Sequence, residues 1–257
     1  MTAFSVNTCK IALANGDCNK QRPSCDGAPE KLRAAAVKAG LLLTMLTLWA
    51  LVTLLAVLPP GARAQTPAAA STAVRLLVVG DSLSAEYGLA RGTGWVALLQ
   101  QRLAADKRAV TVINASISGD TTSGGRSRLP ALLKQHQPQI VVIELGGNDA
   151  LRGLPLDITE QNLLVMTQAA QRAGARVLLL GMQVPPNYGS AYSASFAGVF
   201  PKVAKATQSP LVPFLLKGVA DTDDATRLFQ SDRIHPNESA HPIMLATVWP
   251  ELRKLLK

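Results

Sequence analysis

The side chains of this 257-residue chain that could move an acyl group are a serine, a histidine and an aspartate, far apart in sequence. Ser82 follows Gly80-Asp81 at the end of an unbroken apolar run, Leu76 to Val79. His235 stands three residues after Asp232 in Asp232-Arg233-Ile234-His235, with Pro236 next. Nucleophilic acyl transfer needs these three types: a hydroxyl to attack, an imidazole to carry its proton to the leaving group, and a carboxylate to hold the imidazole in one tautomer. The pattern points to Ser82 as nucleophile, His235 as base and Asp232 as its orienting partner. A developing oxyanion also needs donors aimed at it. The backbone N–H groups of Ser82 and Gly119 and the side-chain amide of Asn148 are the candidates. Asp81 and Asp149 are expected to bond neighbouring loop N–H groups. His136 reads as the cap of a helix C-terminus and His241 as a solvent-facing residue one turn into the last helix. No two histidines or carboxylates have the paired spacing of a metal site, and no cofactor is expected.

These groups need elements that bring them to one rim. The runs Val74–Val79, Val110–Ile113, Gln139–Leu145, Arg176–Met182 and Leu211–Phe214 read as strands, mostly apolar throughout, as in a parallel sheet covered on both faces. Helical patterns alternate with them: about Gly94–Ala105, with Thr93 as its cap, then Thr122–Gln135, a helix through Ala173 with Asp157 and Glu160 as a capping box, and Tyr192–Thr207. A last helix is capped by Asn237 and bent or broken at Pro242 and Pro250. Five such alternations predict a doubly covered parallel α/β sheet. In such sheets, chemistry collects where the strands end. Gly80-Asp81-Ser82, Ser118-Gly119-Asp120 and Gly146-Gly147-Asn148-Asp149 all lie at such ends. The spacing after the first strand is not that of a dinucleotide-binding turn.

The first 64 residues are of another kind. Ala39 to Leu58 is an uncharged run of 20, preceded by Lys31, Arg33 and Lys38 and followed by Pro59-Pro60-Gly61 and Ala62-Arg63-Ala64. A basic flank, an apolar core and a small-x-small tripeptide make a secretory signal, with cleavage after Ala64. A membrane anchor over residues 39–58 is the alternative. The expected organisation is a leader over 1–64, a small-residue linker over 65–73 and one domain over 74–257, placed in the periplasm or outside the cell. All three cysteines (Cys9, Cys18, Cys25) fall in the leader, so the domain is stabilised by its core alone. Of the net charge of +9, the leader carries +4 and the remainder +5. That excess, with no basic cluster and 4% aromatic residues, excludes a nucleic-acid footprint.

Four blocks in order (Gly80-Asp81-Ser82-Leu83-Ser84, Asn114 to Thr121 around Gly119, Gly147-Asn148-Asp149, and Asp232-x-x-His235) resemble the signatures of the SGNH (GDSL) hydrolases. The likeness runs from about Leu76 to Leu252 and is similar to the periplasmic thioesterase I/lysophospholipase/arylesterase branch. It implies a flavodoxin-like three-layer α/β/α sandwich on a five-stranded parallel sheet, and a shallow site for acyl esters and thioesters. The partner so implied is a small acyl substrate, with room for a transient membrane or lysophospholipid contact. In this family the loop after the Gly-Asn-Asp block moves over the acyl chain. The resemblance thus implies substrate contacts at Leu151 and Leu154, and at Pro186 and Tyr188 in the matching Pro-Asn-Tyr-Gly segment. Glu86 stands where some relatives have glycine, near the mouth, where it would affect charged head groups. The nearest competing readings are a carbohydrate O-acetylesterase on the same fold and a non-catalytic envelope lipid-binding protein. Oligomeric state is not legible in the sequence.

Overall fold

In a computed structural model, residues 73–257 are described. The expected leader, the apolar run Ala39–Leu58 and nearly all of the linker lie outside the described residues. No helix among the described residues is long and apolar enough to cross a membrane.

Five parallel strands form the sheet: β1 (Val74–Gly80), β2 (Val110–Asn114), β3 (Ile140–Glu144), β4 (Arg176–Leu180) and β5 (Leu211–Val212), in the order β2-β1-β3-β4-β5. This is the five-stranded parallel α/β fold expected from the pattern. β3 is buried at every position and β1 from Leu76 onward, which is why both read as continuous apolar runs. β2 lies at an edge and is only half-buried, and Thr111 and Asn114 interrupt its apolar pattern. Among the described residues there are six α-helices: α1 (Trp95–Ala105), α2 (Thr122–His136), α3 (Gly147–Leu151), α4 (Leu156–Arg172), α5 (Ser190–Thr207) and α6 (His241–Leu255). α1 and α6 pack together on one face of the sheet, and α2, α4 and α5 pack in sequence on the other.

The chain leaves β1 toward β2 and then returns to the far side of β1 for β3. The connections therefore diverge between β1 and β3, and a crevice opens there beyond the strand ends. The register Gly80↔Glu144 sets those two ends level.

Several local readings change. Thr93 does not cap α1; its hydroxyl donates to the Ala90 carbonyl, and Gly94 takes the cap position. Asp157 and Glu160 form no capping box, because the helix already starts at Leu156 after Pro155. Asn237 caps the short 3-10 turn Glu238–Ala240 rather than α6 itself. α6 runs unbroken to Leu255: Pro242 sits in its first turn, where a missing N–H costs nothing, and Pro250 is accommodated inside. His241 is buried rather than solvent-facing, since its Nδ1 accepts the Trp95 N–H at 3.0 Å and so stitches α6 to the start of α1. Burial holds its imidazole below the usual histidine range. α3 is a single turn, too short to leave a periodic signal.

Candidate active site

β1 ends at Gly80 because the space beside it is taken. A Cβ there would lie 2.8 Å from both Glu144 Oε2 and Ser84 Oγ, so only glycine lets the strand close on β3. The chain then turns through 81–87. Asp81 Oδ1 accepts the Leu83 N–H at 3.0 Å, which fixes the turn on both sides of Ser82. Ser82 is part-exposed at the floor of the crevice, between residues that are buried.

The last loop brings His235 across 153 positions of sequence. Its Nε2 lies 2.9 Å from Ser82 Oγ, and its Nδ1 lies 2.6 Å from Asp232 Oδ2. The other Asp232 oxygen accepts the N–H groups of Ile234 and His235, at 2.9 and 3.0 Å. Arg233 takes a positive φ of 59° so that the chain can curl round the carboxylate in this way. Desolvation works to raise the Asp232 pKa. The two backbone N–H groups and the His235 imidazole outweigh it and bring the carboxyl to about 2. Gln230 clamps the loop, donating to Tyr87 O at 2.8 Å and Pro236 O at 3.0 Å. Tyr87 itself lies against the imidazole, with ring centroids 4.3 Å apart. It was missed in the sequence, since a single aromatic in a turn carries no periodic signal.

The three expected oxyanion donors lie in the segments that follow β1, β2 and β3. Gly119 has φ 77°, which a side chain would strain, and its carbonyl accepts Arg152 Nη2 at 2.8 Å. The N–H groups of Ser82 and Gly119 meet no acceptor among the described residues. Asn148, in the first turn of α3, is placed by Gly146 at φ 119°. Its Nδ2 donates to Asp81 Oδ2 and to the Asp120 carbonyl, each at 3.0 Å. Both amide hydrogens thus have protein acceptors at rest.

Asp81 and Asp149 are buried and bond loop groups. Asp149 accepts the Thr122 N–H at 2.9 Å and the Thr122 hydroxyl, joining the start of α2 to α3. Arg128 of α2 ties the ends of β1 and β2 together through Gly80 O, Ala115 O and, at 2.8 Å, Asp120 in the segment after β2. Glu86 is not in the wall of the cavity beside Ser82. Its Oε1 accepts the N–H groups of Gly92 and Gly94, at 3.0 and 2.9 Å, so its charge braces the entry to α1.

A cavity of about 640 Å3 opens beside Ser82, with Asn148 and His235 also in its wall. Its apolar lining comes from Leu151, Met182, Val184, Phe214, Leu216 and Phe229. Of the four residues singled out for substrate contact, Leu151 lines it. Leu154 and Tyr188 are exposed and lie outside its wall, and the Pro186 side chain lies outside the described residues. The apolar residues beyond β4 and β5 that do line it are indistinguishable in sequence from core.

The chain matches the model of the GDSL-like lipase/acylhydrolase family over residues 78–243. The chain belongs to that family. Esterase TesA of Pseudomonas aeruginosa is 53% identical over 186 residues, covering 72% of this chain and 91% of that protein. Thioesterase 1/protease 1/lysophospholipase L1 of Escherichia coli is 43% identical over 187 residues, covering 73% and 87%. Among solved structures, the psychrotrophic esterase EstA of a Pseudoalteromonas species superposes with a TM-score of 0.67 at 40% identity, covering 70-odd per cent of this chain (71%) and 98% of that one. The SGNH resemblance read from the four blocks is therefore correct, and this GDSL-like hydrolase is an enzyme of the esterase/thioesterase kind.

Proposed function

We propose that this GDSL-like hydrolase cleaves acyl esters and thioesters through a covalent acyl-enzyme on Ser82. The observation that carries the reading is the single imidazole joining Ser82 and Asp232 at the mouth of an apolar cavity. His235 takes the Ser82 proton as Oγ attacks the acyl carbon, then gives it to the departing alcohol or thiol. Water repeats the sequence in reverse to release the acid. The carbonyl oxygen, as it gains charge, is met by the Ser82 and Gly119 N–H groups and draws one Asn148 hydrogen from its resting acceptor. Asp232 needs no proton of its own; it holds the imidazole and balances its charge. The acyl chain lies along Leu151, Met182, Val184, Phe214 and Phe229. The EstA structure, inhibited by monoethylphosphonate, is in keeping with a nucleophile of this sort in a relative.

The names of the relatives cover arylester, thioester and lysophospholipid chemistry, and a 640 Å3 apolar cavity suits a medium acyl chain more than an acetyl group. Hydrolysis rates over p-nitrophenyl esters from acetyl to palmitoyl test this. kcat/KM is expected to rise by about tenfold or more beyond acetyl, because each buried methylene contributes about 0.8 kcal/mol. A strict acetyl preference would overturn the reading in favour of an O-acetylesterase.

The export of the domain is part of the same proposal: a leader over 1–64, a linker over 65–73 and the hydrolase over 74–257, working in the periplasm or outside the cell. Intact mass of protein from its native host is expected to correspond to a chain beginning at Gln65. A mass that includes residues 39–58 would show a retained anchor.

A further inference from the structure

Two carboxyl groups lie buried beneath the nucleophile, and the reaction just described gives neither of them a part. Glu144, the last residue of β3, is wholly buried. Its Oε2 accepts the Ser84 hydroxyl at 2.8 Å and the Asp81 N–H at 3.3 Å. Its Oε1 is also buried, and no N–H or O–H among the described residues reaches it. Such an orphan oxygen is costly unless something answers it. The Asp81 residue lies beside it, since its own N–H donates to Glu144 Oε2 at 3.3 Å and the register sets Glu144 level with the preceding Gly80. Arg128, which reaches the neighbouring Gly80 carbonyl, is occupied by Asp120 and by the carbonyls of Ala115 and Gly80.

Two carboxylates side by side in a buried site do not both stay ionised. Asp81 has the better claim to the charge, because the Leu83 N–H and the Asn148 amide both donate to it. Glu144 has the better claim to the proton, since it is the more deeply buried and its orphan oxygen can donate only if protonated. Burial and the neighbouring Asp81 charge push its carboxyl well above the usual carboxylate range.

We propose that Glu144 is a positioning residue for acyl transfer: as a neutral acid it donates to Asp81, and the linked pair sets the oxyanion donors around Ser82. This rests on Ser82 being the nucleophile. Glu144 holds the N–H on one side of Ser82 and Asp81 holds the N–H on the other, which leaves the Ser82 N–H between them free for substrate. Asp81 also holds the Asn148 amide. An unshared Asp81 charge would grip that amide and compete with the oxyanion for it. A hydrogen bond from Glu144 spreads the Asp81 charge and lowers that competition. Glu144 touches no reacting atom; it acts through Asp81, Asn148 and the Ser82 peptide.

The test compares Glu144→Gln, which keeps a neutral donor and an acceptor of the same shape, with Glu144→Leu, which keeps only the volume. Turnover of a p-nitrophenyl ester and labelling of Ser82 by a fluorophosphonate are followed in both. Glu144→Gln is expected to keep kcat within about threefold of the parent, and Glu144→Leu to lose about 30-fold in kcat with KM little changed, the size of one or two buried hydrogen bonds. Equal loss in both variants, or wild-type kcat in a folded Glu144→Leu, overturns the proposal. If Glu144→Leu does not fold, the infrared difference between wild type and Glu144→Gln at neutral pH decides. A protonated-carboxyl C=O band in the wild type supports the proposal, and carboxylate bands alone overturn it. Loss of fluorophosphonate labelling from the wild type itself would instead count against Ser82 as nucleophile, so the two failures are distinct.

Discussion

Ser82→Ala is expected to lower kcat on any ester substrate by about 10^4- to 10^6-fold while leaving the fold intact. The size follows from what is removed. Attack by Oγ, and the acyl-enzyme that divides one hard displacement into two easier ones, both vanish together. His235 is left with no proton to take. What remains is a cavity and a set of oxyanion donors able to bind substrate and polarise its carbonyl, which alone accounts for a residual rate above water. KM is therefore expected to change little. The substitution removes a part-exposed hydroxyl whose hydrogen-bond partner is His235, and the backbone around it is fixed by Asp81 and Glu144 rather than by its own side chain. The thermal midpoint is accordingly expected to stay within a few degrees of the parent. Steady-state kinetics with circular dichroism separate these effects. Wild-type turnover in a folded Ser82→Ala protein would remove Ser82 from the reaction and with it the proposed mechanism.

How much of this was legible in the sequence depends on how each residue is held in place. β1 and β3 stand in the middle of the sheet, so their runs are apolar without alternation and could be read directly. The loops that follow them inherit that clarity, and Ser82 and Asn148 lie where the connection order makes a crevice. Asp232 and His235 were readable because their contact is local, three residues apart within one loop. The residues that were misread are those whose partners are distant. His241 looks like any polar residue near a helix start until the Trp95 N–H, 146 positions away, is brought against it. Glu86 looks like a charge at the mouth until the chain folds back and presents the N–H groups of Gly92 and Gly94. Glu144 ends an apolar strand, and only the register Gly80↔Glu144 reveals that its carboxyl meets Asp81 and Ser84. The acyl cavity was hidden for a related reason. Met182, Val184, Phe214 and Phe229 come from three separate segments, and nothing in an apolar residue's type tells a cavity wall from a packed core.

Asp232→Asn is expected to cost nearly as much as losing the nucleophile, about 10^3- to 10^4-fold in kcat at neutral pH. An aspartate at 2.6 Å from His235 Nδ1 obliges that nitrogen to carry the hydrogen, which leaves Nε2 bare to accept the Ser82 proton. An asparagine can meet the ring with its N–H instead, which favours the opposite tautomer, with Nε2 protonated and no longer a base. It also takes away the charge that balances the imidazolium formed during attack. The loop itself is expected to survive, because the side-chain oxygen of asparagine can still accept the N–H groups of Ile234 and His235. The acid side of the wild-type profile provides a second check. Asp232 sits at about 2, lowered from 3.8 by its hydrogen bonds to those N–H groups and the imidazole. A depressed carboxylate contributes its stabilisation above its unfolded pKa and loses it as pH falls through the folded value. The loop should therefore keep its charged Asp232 from neutral pH down to about pH 3 and begin to lose it only near pH 2. Loss of activity between pH 7 and 4 would then arise elsewhere in the site, and Asp232→Asn should lower the whole profile rather than shift its acid limb. An acid limb that moves with Asp232→Asn while the plateau rate stays at the wild-type level would show that Asp232 is titrating in that range and that the His235 tautomer does not depend on it.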